Sequence, residues 1–378
     1  MSVPPNSVFA VITGGGTSGH VLPALAIAEL LKESGHPFHS LHYVGSSRGI
    51  ETSLLPPTGI PSTFLRVDGL QRSLKVRALI RNARAPFVLA VARLEAKRLL
   101  RRLKPRVVIS VGGFASVPAC SAARSLGIPV VVVSYDRRPG LASRMQSRYC
   151  AISAVAYLPS TLRNAQLSGA PVRSSIRQLK RHEGRHAALA NLGFRHTDRV
   201  VLAMGGSLGS QMINQQVQAF ARHYQHDDEV AVLHIAGARN MSTDATPERI
   251  YRPDGSLQYQ RVAYCDDMAG AYSAASIVVC RAGASTIAEI SAAGIAAVII
   301  PWRDAAEDHQ MTNARWLTDA GAAVLLDEIS LNASTFVEVV GALLADSLAI
   351  SQLETKSFAM GEVHRNCRIA TLVESVAR

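Results

Sequence analysis

Cysteine is scarce in this 378-residue chain, with five residues at 120, 150, 265, 280 and 367 and no C-x-x-C pair among them. An odd number without ligand spacing argues against a disulfide framework or a zinc site and suits a reducing compartment. Long apolar runs are also missing. A spanning helix needs roughly 18 such residues, and the best candidate, Ile290 to Trp302, is shorter and directly follows Glu289. The stretch Met1 to Ser7 lacks the basic start of a secretory signal, so a soluble cytosolic protein is expected. Aromatics make up only 5%. What is abundant is apolar residues, 48% against 18% charged, which excludes a disordered chain and, at this length, suggests two domains.

Acidic residues are sparse as well: 28 Asp+Glu against 40 Lys+Arg leave a net charge of +12 and point to an anionic partner. The excess is local. Between Arg66 and Arg106 stand thirteen Lys/Arg opposed by Asp68 and Glu95 alone, a net +11. Val76, Leu79, Ile80, Ala83 and Phe87 recur at helical spacing, and Pro86 is expected to start a second helix bearing Arg93, Lys97, Arg101 and Lys104 as a basic stripe. Anionic lipid headgroups suit such a mixture of apolar and basic side chains. Nucleic acid would welcome the charge, but Phe87 is the one aromatic available for stacking. A solvated face is the ordinary meaning of a charge run, although such faces usually mix signs.

β-Branched runs alternate with helical stretches. Strands are expected at Val8–Ile12, His39–Val44, Val107–Val111 and Val130–Val133, then at Val200–Met204, Val230–Ile235, Ile277–Cys280 and Ala297–Ile300. That alternation implies βαβ units and parallel sheets covered on both faces. Gly15-Gly16-Thr17-Ser18-Gly19 ends the first strand and Gly205-Gly206-Ser207-Leu208-Gly209 ends the fifth, 190 residues later. The fold class expected is therefore α/β, with two doubly wound Rossmann-like domains whose parallel sheets face each other across a cleft, the GT-B architecture. The expected domains are 1–175, 176–345 and a C-terminal helix, 346–378, packing back toward the first.

Gly14-x-Gly16-x-x-Gly19 satisfies the dinucleotide fingerprint, but strand two ends in Tyr43-Val44-Gly45-Ser46-Ser47 without the acid that would hold a ribose. What remains is a bare glycine turn, which says only that main-chain amides face something, often an anion at a helix N-terminus. His20 follows it and suits a general base, or else a packing histidine of the first helix. Cys280-Arg281-Ala282-Gly283-Ala284-Ser285-Thr286 leads from a strand into a helix with Glu289 one turn in, a second place for a diphosphate. Asp308-His309-Gln310-Met311-Thr312-Asn313 offers amides for sugar hydroxyls at the edge of the same sheet.

In their joint order, these motifs resemble the MurG family of N-acetylglucosaminyltransferases. The likeness is carried by Gly14 through Pro23, Gly112-Gly113-Phe114-Ala115-Ser116, Gly169-Ala170-Pro171-Val172-Arg173, Gly205 through Gly209, Asp266-Asp267-Met268, Cys280 through Glu289, and Asp308 through Ala314. The resemblance implies a bacterial enzyme of peptidoglycan synthesis on the cytoplasmic face of the cell membrane. It would move GlcNAc, with inversion, from UDP-GlcNAc to the muramyl 4-hydroxyl of a polyprenyl-diphosphate-linked pentapeptide. By position it assigns Arg173, Ser207, Cys265 and Ala284, Ser285, Thr286, Ile287, Ala288 and Glu289 to the UDP part, and Gln310 and Asn313 to GlcNAc. Thr17, Ser18 and Gly19 would line the junction with the acceptor, with His20 as base, and Gly112, Gly113 and Ser116 would meet the acceptor diphosphate. The stretch 72–104 would match a membrane-docking surface, and no nucleic acid is implied. No cofactor or metal is expected: an Asp-x-Asp pair is absent, and the adjacent Asp266 and Asp267 cannot easily share an ion.

The sequence departs from the family after the fourth strand, where His-Glu-x-Asn is replaced by Val133-Ser134-Tyr135-Asp136, placing Asp136 at a donor-contacting position; Leu208 and Ala170 depart too. A transferase with another lipid or small-molecule acceptor, and a weakened sugar-nucleotide binder, stay open on these residues.

Overall fold

The computed structural model describes residues 8–67, 76–206, 208–241 and 247–378, without side chains for 76–85 and 306. The chain divides into two compact units, residues 1–174 with 366–378 and residues 175–365.

In the first unit the elements are β1 (Ala10–Thr13), α1 (Ser18–Glu33), β2 (Leu41–Ser46), α2 (Glu51–Leu54), β3 (Ser62–Leu65), α3 (Val76–Leu103), β4 (Val107–Ser110), α4 (Val117–Ser125), β5 (Val130–Ser134), α5 (Leu141–Gln146), β6 (Ile152–Val155) and β7 (Ala165–Leu167). The strands form one parallel sheet in the order β3-β2-β1-β4-β5-β6-β7. Strands buried on both faces read as continuous apolar runs. Val107–Ile109 and Val130–Val133 accordingly lie at 2% exposure or less. On one face, Ala92, Ala96, Leu99 and Leu100 of α3 pack with Ala119, Ala122 and Ala123 of α4.

The second unit follows with α6 (Ser174–Arg177), α7 (Arg181–Leu192), β8 (Arg199–Met204), α8 (Gln211–His223), β9 (Val230–Ile235), β10 (Glu248–Tyr251), β11 (Leu257–Val262), α9 (Met268–Ala274), β12 (Ala275–Cys280), α10 (Ala284–Ala293), β13 (Ala297–Ile299), α11 (His309–Thr318), β14 (Val324–Leu325), α12 (Ala333–Ala345), α13 (Ser347–Met360) and α14 (Glu362–Arg365); α15 (Ile369–Val376) returns to the first unit. The order is β10-β11-β9-β8-β12-β13-β14, parallel except for the β10–β11 pair. Phe220, Phe336, Val340 and Leu344 fill the core on one face of this sheet. Among the described residues no single helix is long and apolar enough to cross a membrane.

The eight expected strands lie within two residues of those observed. Others were not anticipated. Three-residue β7 and fully exposed β10 carry little apolar signal, and they form because a neighbouring strand offers them a ladder. Two expectations need correction. Pro86 does not start a second helix, for α3 runs through it. The ring removes one main-chain donor, and the rest of a 28-residue helix carries the ladder across the gap. The C-terminal segment is three helices rather than one. Gly361 caps α13 at a point where a Cβ would overlap the Ser291 carbonyl, so the close approach there requires glycine, and only the portion from 366 joins the first unit, where α15 packs on α1 and Arg368 N–H donates to Ser168 O at 2.8 Å.

Candidate functional site

In doubly wound sheets, ligands bind where the strand order reverses, beyond the carboxyl ends of the strands. Here these points fall between β1 and β4 in the first unit and between β8 and β12 in the second. The four loops involved are the glycine turns that the sequence singles out.

In the first unit, Thr17 caps α1 in an extended conformation, and its hydroxyl meets His20 Nδ1 at 3.3 Å instead of capping the helix. In the tautomer whose Nδ1–H donates to the Thr17 hydroxyl, His20 Nε2 carries the lone pair. The turn before it needs glycine, since Gly15 and Gly16 have φ of 137° and 94°. The loop after β4 lies against the ring: a methyl group on Gly113 would stand 3.4 Å from His20 Cε1 and 3.0 Å from the Gly15 carbonyl oxygen. His20 is half-buried, and burial pulls its pKa below the usual value while the Asp136 and Glu51 carboxylates push the other way. The neutral imidazole is thus the resting form at neutral pH, as a general base requires.

The 133–136 departure has a structural role. Pro23 inside α1 has no N–H for the Gly19 carbonyl, and the Tyr135 hydroxyl donates to that orphaned oxygen at 2.5 Å. This bond ties the end of β5, and Asp136 after it, to the first turn of α1. Ser116, expected at the acceptor diphosphate, is fully buried. Its hydroxyl donates to Gly113 O at 2.8 Å and accepts from Gln146 Nε2 at 2.8 Å, so it supports the loop from beneath. Arg173, also in this unit, has Nε 2.5 Å from Glu29 Oε1, while Ser174 N–H donates to Glu29 Oε2 at 2.8 Å. The expected donor set therefore divides, with Thr17, Ser18, Gly19, Asp136 and Arg173 in one unit and the remainder in the other.

In the second unit a cavity of about 710 Å³ opens between the loops after β8 and β12, lined by Gly205, Gly206, Ser210, Arg281, Gly283, Thr286, Trp302 and Gln310 among others. Ser207 lies outside the described residues. Gly283 caps α10, so the amides of its first turn form the kind of N-terminus that favours anions, and Thr286 brings a hydroxyl. Gln310 Oε1 accepts from Ala282 N (3.2 Å) and Trp302 N (3.0 Å), which commits its carbonyl oxygen to the loops at the cavity. Asn313, the other residue expected at the sugar, is 1% exposed and donates to Ala282 O at 3.2 Å, so it also supports the loop after β12. Ile287 and Ala288 are fully buried core, so only their main chain can serve a ligand. Glu289 Oε2 accepts from the Tyr272 hydroxyl at 2.9 Å. The Cys265 thiol sits 3.4 Å from Asp267 O, with burial first and Asp267 next pushing its pKa up to about 11, so it stays a neutral thiol.

Sequence reasoning gave no role to Arg281, Glu328 or Trp302. Arg281 Nη2 donates to Glu328 Oε1 at 2.5 Å and Ser210 Oγ at 2.9 Å, and Nη1 reaches the Ile300 and Pro301 carbonyls at 3.2 Å. Glu328 also accepts from Arg303 N at 2.9 Å. This buried pair braces the cavity floor. Position just beyond β13 was the one available signal for Trp302.

Known proteins carry the same arrangement. The glycosyltransferase family 28 N-terminal domain matches residues 10–155, and the glycosyltransferase family 28 C-terminal domain matches 200–366. A transferase of Halothermothrix orenii named UDP-N-acetylglucosamine--N-acetylmuramyl-(pentapeptide) pyrophosphoryl-undecaprenol N-acetylglucosamine transferase is 33% identical, over 97% of this chain and 99% of its own length. One of the same name from Desulforudis audaxviator is 34% identical over 97% and 98%. The crystal structure of Acinetobacter baumannii MurG superposes with a TM-score of 0.69 at 26% identity, covering 98% of this chain and 99% of that one. The chain belongs to glycosyltransferase family 28, as a member of its MurG group with the GT-B fold.

Proposed function

We propose that this chain transfers GlcNAc from UDP-GlcNAc to the 4-hydroxyl of MurNAc in undecaprenyl-diphosphate-linked MurNAc-pentapeptide, inverting the anomeric centre, in peptidoglycan synthesis. What carries the reading is likeness over nearly the full length, at 33 and 34% identity, to transferases of that name, together with a half-buried neutral histidine and a cavity of about 710 Å³, each at its own sheet's switch point.

In the proposed step, His20 Nε2 takes the proton from the acceptor 4-hydroxyl as that oxygen attacks C1 of GlcNAc. The C1–O bond to UDP breaks in the same displacement, and its electron pair leaves as charge on the diphosphate. The α10 amides and Thr286 oppose that charge, Gln310 orients the sugar, and Glu289, Cys265 and Arg173 contribute to the nucleotide side. Ser207 has the same assignment by its place in the glycine turn. The acceptor diphosphate meets the amides of Gly112 and Gly113.

The acceptor is lipid-borne, and α3 supplies a surface for it. Phe87, Val91 and Leu94 are exposed at one-turn spacing, with Arg93, Arg98, Arg101 and Arg102 exposed on the same helix. This part of 72–104 docks on an anionic membrane surface, putting the protein at the cytoplasmic face of the cell membrane; 72–75 lie outside the described residues. Competing lipid I and diacylglycerol acceptors for labelled UDP-GlcNAc tests the reading. Label in lipid I alone is expected, and label in the diglyceride alone would replace the acceptor.

A further inference from the structure

Glu51 opens a four-residue helical turn in the loop after β2, where a carboxylate ordinarily points to water. Instead it is fully buried. Its Oε1 accepts from Ser46 N at 2.6 Å, and its two oxygens accept from Gly16 N at 3.2 and 3.0 Å. Glycines from two chain segments close around it. A methyl group at Gly15 or Gly49 would overlap the carboxylate, and one at Gly45 would approach Oε1 to 2.9 Å. Beside it, the Tyr43 hydroxyl donates to Gly14 O at 2.9 Å, so both ends of the turn 14–16 are fixed from β2 and α2.

From this geometry we infer that Glu51 is the positioning residue of the glycine turn, fixing where Gly16 ends and therefore where Thr17 and His20 begin. The inference rests on His20 being the base, and it adds a second effect. A buried negative charge near the ring favours the imidazolium that forms as the acceptor proton arrives. The charged groups facing His20 are Glu51 from α2 and Asp136 from beyond β5, with the neutral Tyr43 and Tyr135 phenols beside them.

The test is Glu51→Gln in the full-length protein, with UDP-GlcNAc and a short-chain lipid I analogue, read beside His20→Ala. Glutamine keeps the size, but it turns an N–H toward a main-chain donor and removes the charge. The expected result is a fall in kcat of about tenfold or more, with UDP-GlcNAc affinity by calorimetry unchanged. The acidic limb of kcat/KM moves to lower pH, because a neighbour that raised the imidazole pKa is gone. A buried group with a purely structural role would leave that limb in place. Should Glu51→Gln fail to fold, Gly49→Ala, which pushes a methyl group at the carboxylate, is expected to lower kcat in its place. Wild-type kcat and an unmoved limb in Glu51→Gln, or wild-type kcat in Gly49→Ala, with His20→Ala impaired, overturn the inference. Wild-type turnover in His20→Ala overturns the reading beneath it instead.

Discussion

His20 has its ring against Gly113, its Nδ1 at the Thr17 hydroxyl and its pKa held down by burial. His20→Ala is expected to lower kcat by roughly a hundredfold or more while UDP-GlcNAc affinity by calorimetry stays as it was; unchanged turnover would reduce His20 to a packing residue of α1. Arg281 makes a different kind of prediction. It and Glu328 are about one-tenth exposed, so Arg281→Met leaves a buried carboxylate uncompensated and is expected to cost about 3 kcal/mol in urea unfolding. Adding Glu328→Leu should recover part of that loss. A single variant as stable as the parent would show that the pair does not brace the cavity. At this scale the sequence showed residue types and spacing well enough to single out His20, Thr286 and Gln310 as candidates. Burial was not legible, and it separates Gln310 at the cavity from Asn313 and Ser116 beneath their loops. Glu51 was missed for the same reason, since nothing in its local sequence marks an acid that folds inward.

Among the elements, α3 separates two kinds of signal. Its composition announced a basic, half-apolar helix, but the proline suggested a break that a long helix absorbs. Replacing Phe87 and Leu94 together by glutamate is expected to cut co-sedimentation with anionic vesicles about tenfold or more. Turnover of a short-chain, water-soluble acceptor should be unaffected. Vesicle binding equal to the parent's would assign the helix face to solvent. The central strands were readable because strands buried on both faces are continuously β-branched, whereas β7 and β10 owe their existence to neighbours distant in sequence. The cap on the Gly19 carbonyl by Tyr135 was illegible too: it joins residues 116 positions apart, and only Pro23, by withholding a donor, hinted that a partner was needed.

On the scale of the whole molecule, a strand–glycine-turn–helix opening repeated 190 residues apart made two doubly wound units legible in the sequence alone. The return of the last residues to the first unit depends on where α13 meets α10 and was only partly visible. Stability should carry a mark of the buried histidines. In the second unit, His234 is held by Asn214 and Tyr259 with its pKa pulled down to about 3, by burial first and Arg261 next; His364 is likewise at about 3 through burial first and Arg365 next. Folded, both stay neutral down to about pH 3, while the unfolded chain protonates them below about 6.5. The unfolded state therefore binds more protons across that window, and stability falls as pH drops through it. Calorimetry between pH 7 and pH 4 is expected to show a declining Tm for the second unit, and a flat Tm would contradict the burial of these rings.

The two family 28 domains follow one another in this single chain. The most direct test is to incubate the protein with radiolabelled UDP-GlcNAc and a short-chain lipid I analogue in excess chelator. The account predicts label in a β-linked disaccharide lipid at an undiminished rate. No labelled lipid, or transfer that returns only when Mg²⁺ is added, would contradict it.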